Sequence, residues 1–231
     1  MSGGESDGSG GLVLLDVFGS PFAQRVRIAL AEKGLAYKRA EQDLAAKGDL
    51  LRRSNPVHGK VPVLLHAGRP VCESLAILHY LDEAFPATTP LLPADPYARA
   101  RARFWAEYAD RLHFCGKRLW LRRDGGGEEA AEPEAREEMV AVLRALEAEL
   151  GRKEFFGGEA FGYVDAAAAP FAAWFLTYER HGGLSVAEEC PGLAAWAARC
   201  SRRESVAANV YPPEKVYELV QEYKQWVLGR K

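Results

Sequence analysis

The stretch Asp16-Val17-Phe18-Gly19-Ser20-Pro21-Phe22-Ala23-Gln24-Arg25-Val26 decides the fold, because an apolar strand stops within it and a helix begins. Just upstream, Leu12-Val13-Leu14-Leu15 is a continuous apolar run, the pattern of a strand buried on both faces, and Gly19-Ser20-Pro21 ends it. Ser20 has the composition of an N-cap and Pro21 that of a first helical residue, so several unpaired N–H groups point out of the helix mouth. Such a mouth suits an anion. On these residues alone, Ser20 is either a helix cap or a hydroxyl that acts on that anion.

Outward from this break, Phe22, Val26, Ala29, Leu30 and Lys33 recur at helical spacing and Gly34 supplies the stop. Tyr37 to Gln42 reads as a second strand, and Ala45 to Ser54 as a short helix ended by Asn55-Pro56. Val61 to Leu65 and Pro70 to Cys72 flank a turn at Ala67-Gly68, which predicts a hairpin. Ser74, Leu75, Leu78, Leu81 and Phe85 mark a further amphipathic helix up to Pro86, giving the order βαβαββα. The proline-rich stretch Pro86 to Pro93 reads as a linker.

Beyond the linker the pattern is helical throughout. Ala98 to Arg122 predicts one long helix interrupted only by Gly116, followed by a loop at Asp124 to Gly127 and a helix over Pro133 to Leu150. Tyr163 to Arg180 is apolar nearly all round and is expected as one helix at the centre of an all-helical domain. Leu193 to Arg202 and Glu214 to Leu228 complete the chain, and no internal repeat is present.

Composition narrows the partners. Of 231 residues, 30 are Lys or Arg and 32 Asp or Glu, so the net charge of -2 argues against nucleic acid or an anionic membrane as the main partner. Cys72, Cys115, Cys190 and Cys200 are scattered without metal-ligand spacing, so no zinc site and no disulfide framework is expected, and a reducing compartment fits. Residues 1–11 read as a disordered Gly/Ser/acidic tail and not as a signal peptide, and no window approaches a membrane span.

Several segments together resemble a cytosolic glutathione transferase, most of all the plant tau class. They are Ser20-Pro21-Phe22 with Arg25-Val26, Asn55 to Leu64, Glu73-Ser74-Leu75, Arg103-Phe104-Trp105-Ala106, Gly162 to Asp165, Glu189-Cys190-Pro191 and Lys215-Val216-Tyr217. The resemblance runs from Leu12 to the C-terminus. It implies an α+β thioredoxin-like domain (βαβαββα) over 12–86, a linker over 87–96, and an all-α domain over 97–231 that holds a hydrophobic pocket. It further implies a cytoplasmic homodimer that uses glutathione as co-substrate, with no metal, on hydrophobic electrophiles, and it allows peroxidase activity on organic hydroperoxides.

By that resemblance the Ser20 hydroxyl is catalytic: it donates to the glutathione sulfur and favours the thiolate. Lowering a thiol from about 8.5 by about two units takes roughly 2.7 kcal/mol. A charge-assisted hydrogen bond of about 1.5–3 kcal/mol with a helix-terminus contribution of about 0.3–1 suffices. No G-x-S-x-G elbow surrounds Ser20, so the serine is not itself the nucleophile. Glu73 and Ser74 would take the γ-glutamyl ammonium and carboxylate, Val61 before a cis Pro62 the peptide, and Lys47 and Lys60 the glycine carboxylate. The hydrophobic pocket is expected from Phe22, Phe114, Lys117, Trp174, Tyr178, Leu219 and Tyr223. Arg25 and Asp165 are expected to be structural.

Two other readings stay open. Thiol transferases and dehydroascorbate reductases of the same superfamily need a cysteine where this chain has Ser20, and Cys72 and Cys115 are expected to be buried away from any helix mouth. A carrier of apolar metabolites, using glutathione only weakly, is the alternative to catalysis.

Overall fold

A computed structural model describes residues 11–43, 46, 48–121 and 133–228. Lys47, the start of the short helix at Ala45, the tail over 1–10 and the loop over Asp124 to Gly127 lie outside the described residues.

The N-terminal part runs β1 (Leu12–Asp16), α1 (Pro21–Glu32), β2 (Lys38–Glu41), α2 (Asp49–Ser54), β3 (Val63–His66), β4 (Arg69–Cys72) and α3 (Ser74–Ala84). The sheet order is β2-β1-β3-β4, with β1 parallel to β2 and antiparallel to β3, and β3 antiparallel to β4. The hairpin turn has both central residues at positive φ, Ala67 at 48° and Gly68 at 76°, the backbone twist that joins two antiparallel strands tightly. α1 and α3 pack together, burying Val26, Ala29, Leu30, Ile77, Leu78 and Leu81 with β1 and β3. This is the thioredoxin-like arrangement expected.

The remainder is helical: α4 (Pro96–Tyr108), α5 (Arg111–Trp120), α6 (Pro133–Leu150), α7 (Tyr163–Ala172), α8 (Phe175–Gly182), α9 (Val186–Glu189), α10 (Pro191–Ser201), α11 (Glu204–Ala207) and α12 (Pro213–Leu228). α7 is the central helix and packs on α1, α4 and α10. Its Asp165 is fully buried and accepts from the N–H groups of Phe156, Gly157 and Gly162 and from the Trp196 indole, at 2.8–3.0 Å. Burial raises its pKa and the four donors oppose that, so the residue is a structural anchor.

Two expectations about helices are corrected. The run from Ala98 is broken at Ala109-Asp110, not at Gly116, which lies inside α5. A Cβ on Gly116 would stand 2.2 Å from the Tyr178 ring, so this glycine lets α5 and α8 touch. The run from Tyr163 is two helices, since the Trp174 N–H reaches back only three residues to Phe171 O (3.0 Å) and the coil tightens there. Pro170, inside α7, has already removed one helical donor from this segment.

The proline-rich linker is pinned. Asp82 of α3 accepts from Leu91 and Leu92 N–H at 2.7–3.1 Å and pairs with the buried Lys33 at 2.8 Å. Leu91 O in turn accepts from Tyr163 N–H at 2.9 Å, which fixes α7 relative to α3.

Candidate active site

Ser20 caps α1 as its sequence predicts. Its oxygen accepts from Ala23 N–H at 3.3 Å, and its own N–H donates to Val17 O at 3.0 Å. Among the described residues nothing accepts from its hydroxyl hydrogen, which is left to donate out of the helix mouth. Cap and outward donor are compatible roles for one hydroxyl.

A polar cleft of about 350 Å³ lies on one side of this mouth, lined by Phe22, Asn55, Lys60, Val61, Pro62, Glu73, Ser74, Leu75, Glu107, Asp110 and Phe114. The Val61–Pro62 peptide is cis. Asn55 shapes the loop before it, donating to Lys60 O (3.1 Å) and accepting from His58 N–H (3.1 Å). Glu73 holds φ = +70° at the N-cap of α3, and its side chain forms no cap. A non-glycine residue at positive φ stores about 1–3 kcal/mol of strain. The result is a carboxylate swung outward beside the unpaired N–H groups of the first turn of α3.

Arg25 ties this cleft together. It is fully buried, donates through Nε to Ala167 O (2.6 Å) and through Nη1 to Ser74 Oγ (3.3 Å), and pairs through Nη2 with Asp110. Its guanidinium lies 5.1 Å from the Phe22 ring centre and 4.8 Å from that of Phe171. Burial lowers its pKa while Asp110 opposes the shift. The structural role expected for Arg25 therefore includes a direct contact with Ser74, whose hydrogen stays available to a ligand.

A second, apolar cleft of about 380 Å³ opens at Ser20 itself, lined also by Val17, Gly19, Pro21, His113, Lys117, Trp120, Trp174, Tyr211, Val216, Leu219, Val220 and Tyr223. Lys117, Trp174, Leu219 and Tyr223 thus lie together as the sequence predicts. Three assignments change. Phe22 and Phe114 wall the polar cleft instead. Tyr178 lines neither cleft: it is fully buried, wedged against Gly116, and burial holds its phenol well above the usual range.

Sequence reasoning missed His113, Trp120 and Tyr211. The first two were legible in principle, because 113, 117 and 120 recur at helical spacing and share one face of α5. Tyr211 is held by contacts no local pattern encodes: Phe18 packs on it at 4.5 Å. Arg27, paired with Asp16, clamps Phe18 O (2.7 Å) to Asn209 O (2.8 Å).

The cysteines offer no competing nucleophile. Cys72 is half-buried, less than expected, and donates to Ser54 O at 3.3 Å, while Cys115, Cys190 and Cys200 are buried. Burial pushes the Cys115 thiol up to about 11 and that of Cys190 to about 12. Among the described residues no three His, Cys, Asp or Glu side chains cluster to hold a metal, and no helix is long and apolar enough to cross a membrane.

The same two-domain fold is found in similar proteins. Residues 14–89 match the family described as glutathione S-transferase, N-terminal domain, and residues 97–199 the C-terminal domain of the same family. The chain is 59% identical over 220 residues to a probable glutathione S-transferase GSTU1 of Oryza sativa subsp. japonica, covering 90% of this chain and 93% of that one. It is 47% identical over 215 residues to glutathione S-transferase U24 of Arabidopsis thaliana, covering 93% and 96%. The crystal structure of rice GST1 in complex with glutathione superposes with a TM-score of 0.86 at 56% identity, covering 93% and 96% of the two chains. The tau-class enzyme from mango, Mangifera indica, gives 0.84 at 36% identity, covering 93% and 99%. With a thioredoxin-like domain, an all-helical partner domain and a serine-capped cleft between them, this chain belongs to the tau-class glutathione S-transferases.

Proposed function

We propose that the polar cleft binds glutathione, that Ser20 holds its sulfur as the thiolate, and that this thiolate attacks hydrophobic electrophiles seated in the apolar cleft. The carrying observation is the position of Ser20: its free hydroxyl donor sits at the mouth of α1, whose first turn walls both clefts. Glu73 would pair with the γ-glutamyl ammonium, Ser74 and the first turn of α3 with its carboxylate, and Val61 with the peptide. Lys60, and Lys47 from outside the described residues, would reach the glycine carboxylate. The glutathione complex of the rice relative, at 56% identity, supports this reading.

A thiolate so held also attacks the O–O bond of an organic hydroperoxide, and peroxidase turnover belongs to the same proposal. So do a cytoplasmic location and a two-fold homodimer. The exposed Phe104, stacked with Tyr108 on the outer side of α4, offers an apolar surface for the dimer. A single monomeric species by sedimentation at micromolar concentration would remove the dimer.

The decisive experiment measures initial rates with glutathione and an activated aromatic halide, beside retention on immobilised glutathione. Both turnover and retention are expected. Retention without turnover on halide or hydroperoxide would instead make the protein a carrier of apolar metabolites.

A further inference from the structure

His113 is a polar group whose placement in the apolar cleft the fold does not explain. Its imidazole lines the cleft that opens at Ser20, one turn before Lys117 on α5. Aromatic rings surround it: Phe22 at 5.2 Å, edge-on, Phe114 at 5.6 Å, Trp174 at 6.1 Å and Phe171 at 6.3 Å between ring centres. Among the described residues no protein group hydrogen-bonds to either of its ring nitrogens. A half-buried imidazole in such surroundings keeps unused hydrogen-bonding capacity for whatever enters the cleft.

Its protonation state follows from its neighbours. Burial among rings, with the positive charges of Lys117 and Arg25 nearby, lowers its pKa from 6.5 to about 4, and Asp110 opposes the shift without cancelling it. At neutral pH the ring is therefore uncharged, carrying one N–H donor and one acceptor. A neutral donor in an apolar site is suited to negative charge that develops during a reaction.

We infer that His113 is a specificity-determining residue of the electrophile cleft, donating an N–H to an oxygen conjugated with the carbon under attack and so favouring unsaturated carbonyl and nitroaromatic electrophiles over alkyl or benzyl halides. With an α,β-unsaturated ketone, the thiolate electron pair forms the C–S bond at the β carbon and the C=C pair shifts onto the carbonyl oxygen. The enolate accepts the imidazole N–H bond, then takes a proton from water at the α carbon. That proton replaces the one the thiol lost on ionising, and the product is the thioether. A benzyl halide expels its charge as the free halide and presents no such oxygen, so His113 contributes far less to it.

The inference rests on the transferase reading above, and the test separates the two. Wild type, His113→Phe and His113→Gln are compared with an unsaturated ketone and with a benzyl halide, each as kcat and KM. His113→Phe is expected to lower kcat/KM for the ketone about tenfold to a hundredfold more than for the benzyl halide, mainly in kcat. His113→Gln, which keeps an N–H donor, is expected to restore most of the ketone rate. Equal losses on both substrates, or a ketone preference that moves with Lys117→Met and not with His113→Phe, would overturn the role of His113 and leave the transferase reading standing. A wild-type protein inert toward both electrophiles would overturn the role of His113, and inertness toward the activated aromatic halide and the hydroperoxide as well would overturn the transferase reading.

Discussion

The polar cleft at Ser74 and the apolar cleft at Ser20 share α1 and α5 as walls, yet the first draws most of its lining from two short stretches of the N-terminal part, around Asn55 to Pro62 and Glu73 to Leu75, and the second most of its lining from the helical part beyond the linker. In the polar cleft, a cis peptide, a positive-φ glutamate and a helix mouth present groups whose positions the local chain dictates. In the apolar cleft, Ser20, His113, Trp174 and Leu219 come from segments separated by tens of residues, and only packing brings them together. On the proposed function, a ligand site of fixed chemistry is thus joined to one whose lining can change residue by residue.

If the two clefts meet at a single sulfur, Ser20→Ala gives the largest effect. Conjugation kcat is expected to fall about 100- to 1000-fold while glutathione affinity stays within a few-fold, measured by initial rates and calorimetric titration. Unchanged turnover would detach the serine from the chemistry. Loss of the cap also lowers stability by about 1 kcal/mol.

Arg25→Leu tests whether the polar cleft is braced by the helical domain. The substitution leaves Asp110 without its partner, and removing one member of a buried pair costs about 3–5 kcal/mol. Because the Asp110 side chain is 24% exposed, water offsets part of the loss and about 3 kcal/mol is expected by urea unfolding. The KM for glutathione should rise with it, since Ser74 Oγ loses its donor. A KM unaffected by this change would show that the brace does not reach the ligand.

The apolar cleft carries its own signature in the pH dependence of stability. His113 has a folded pKa of about 4 against 6.5, so above 6.5 both states leave it neutral. As pH falls from 6.5 towards 4, the unfolded chain takes up a proton that the folded chain refuses, and stability is lost by up to about 3 kcal/mol. His181, lowered by burial and by Lys224, adds to the loss on acidification. The stability of wild type relative to His113→Phe should therefore fall as the pH is lowered through this window, and a difference that does not change with pH would mean that His113 titrates alike in the folded and unfolded chain.

Glu73→Gln gives the smallest change. The Glu73 side chain is 64% exposed, and an ion pair at such a site contributes about 0.2–1 kcal/mol, so the KM for glutathione should rise no more than about fivefold at constant kcat. A far larger rise would mean that the bound ligand closes water out of the polar cleft.

The same contrast decides how much the amino-acid sequence reveals. Ser20-Pro21 is a local signal, and the cap lies where its neighbours direct it, whereas the cis Val61-Pro62 bond is expected only from the family resemblance and the positive φ of Glu73 is announced by nothing local. The break at Ala109-Asp110 carries no glycine or proline, and Asp110 keeps helical angles (φ −62°, ψ −24°), so nothing local announces it. Gly116 carries the strongest breaker signal in the segment, yet it serves a contact with α8 more than sixty residues away. Tyr178, an aromatic one turn after Trp174, faces that glycine and is fully buried, while Trp174 lines the apolar cleft. α9 and α11 are single turns, too short for an apolar period to register.

That glycine also bears on how the enzyme family can vary. With the Tyr178 ring seated where a methyl would be, α5 can neither slide nor roll on α8 without a collision. His113, Lys117 and Trp120 are therefore like teeth on a locked rail: exchanging one alters what the cleft recognises and leaves the spacing of the others unchanged. On the proposed function, selectivity towards electrophiles can diversify at these positions while the packing of α5 on α8 stays constant.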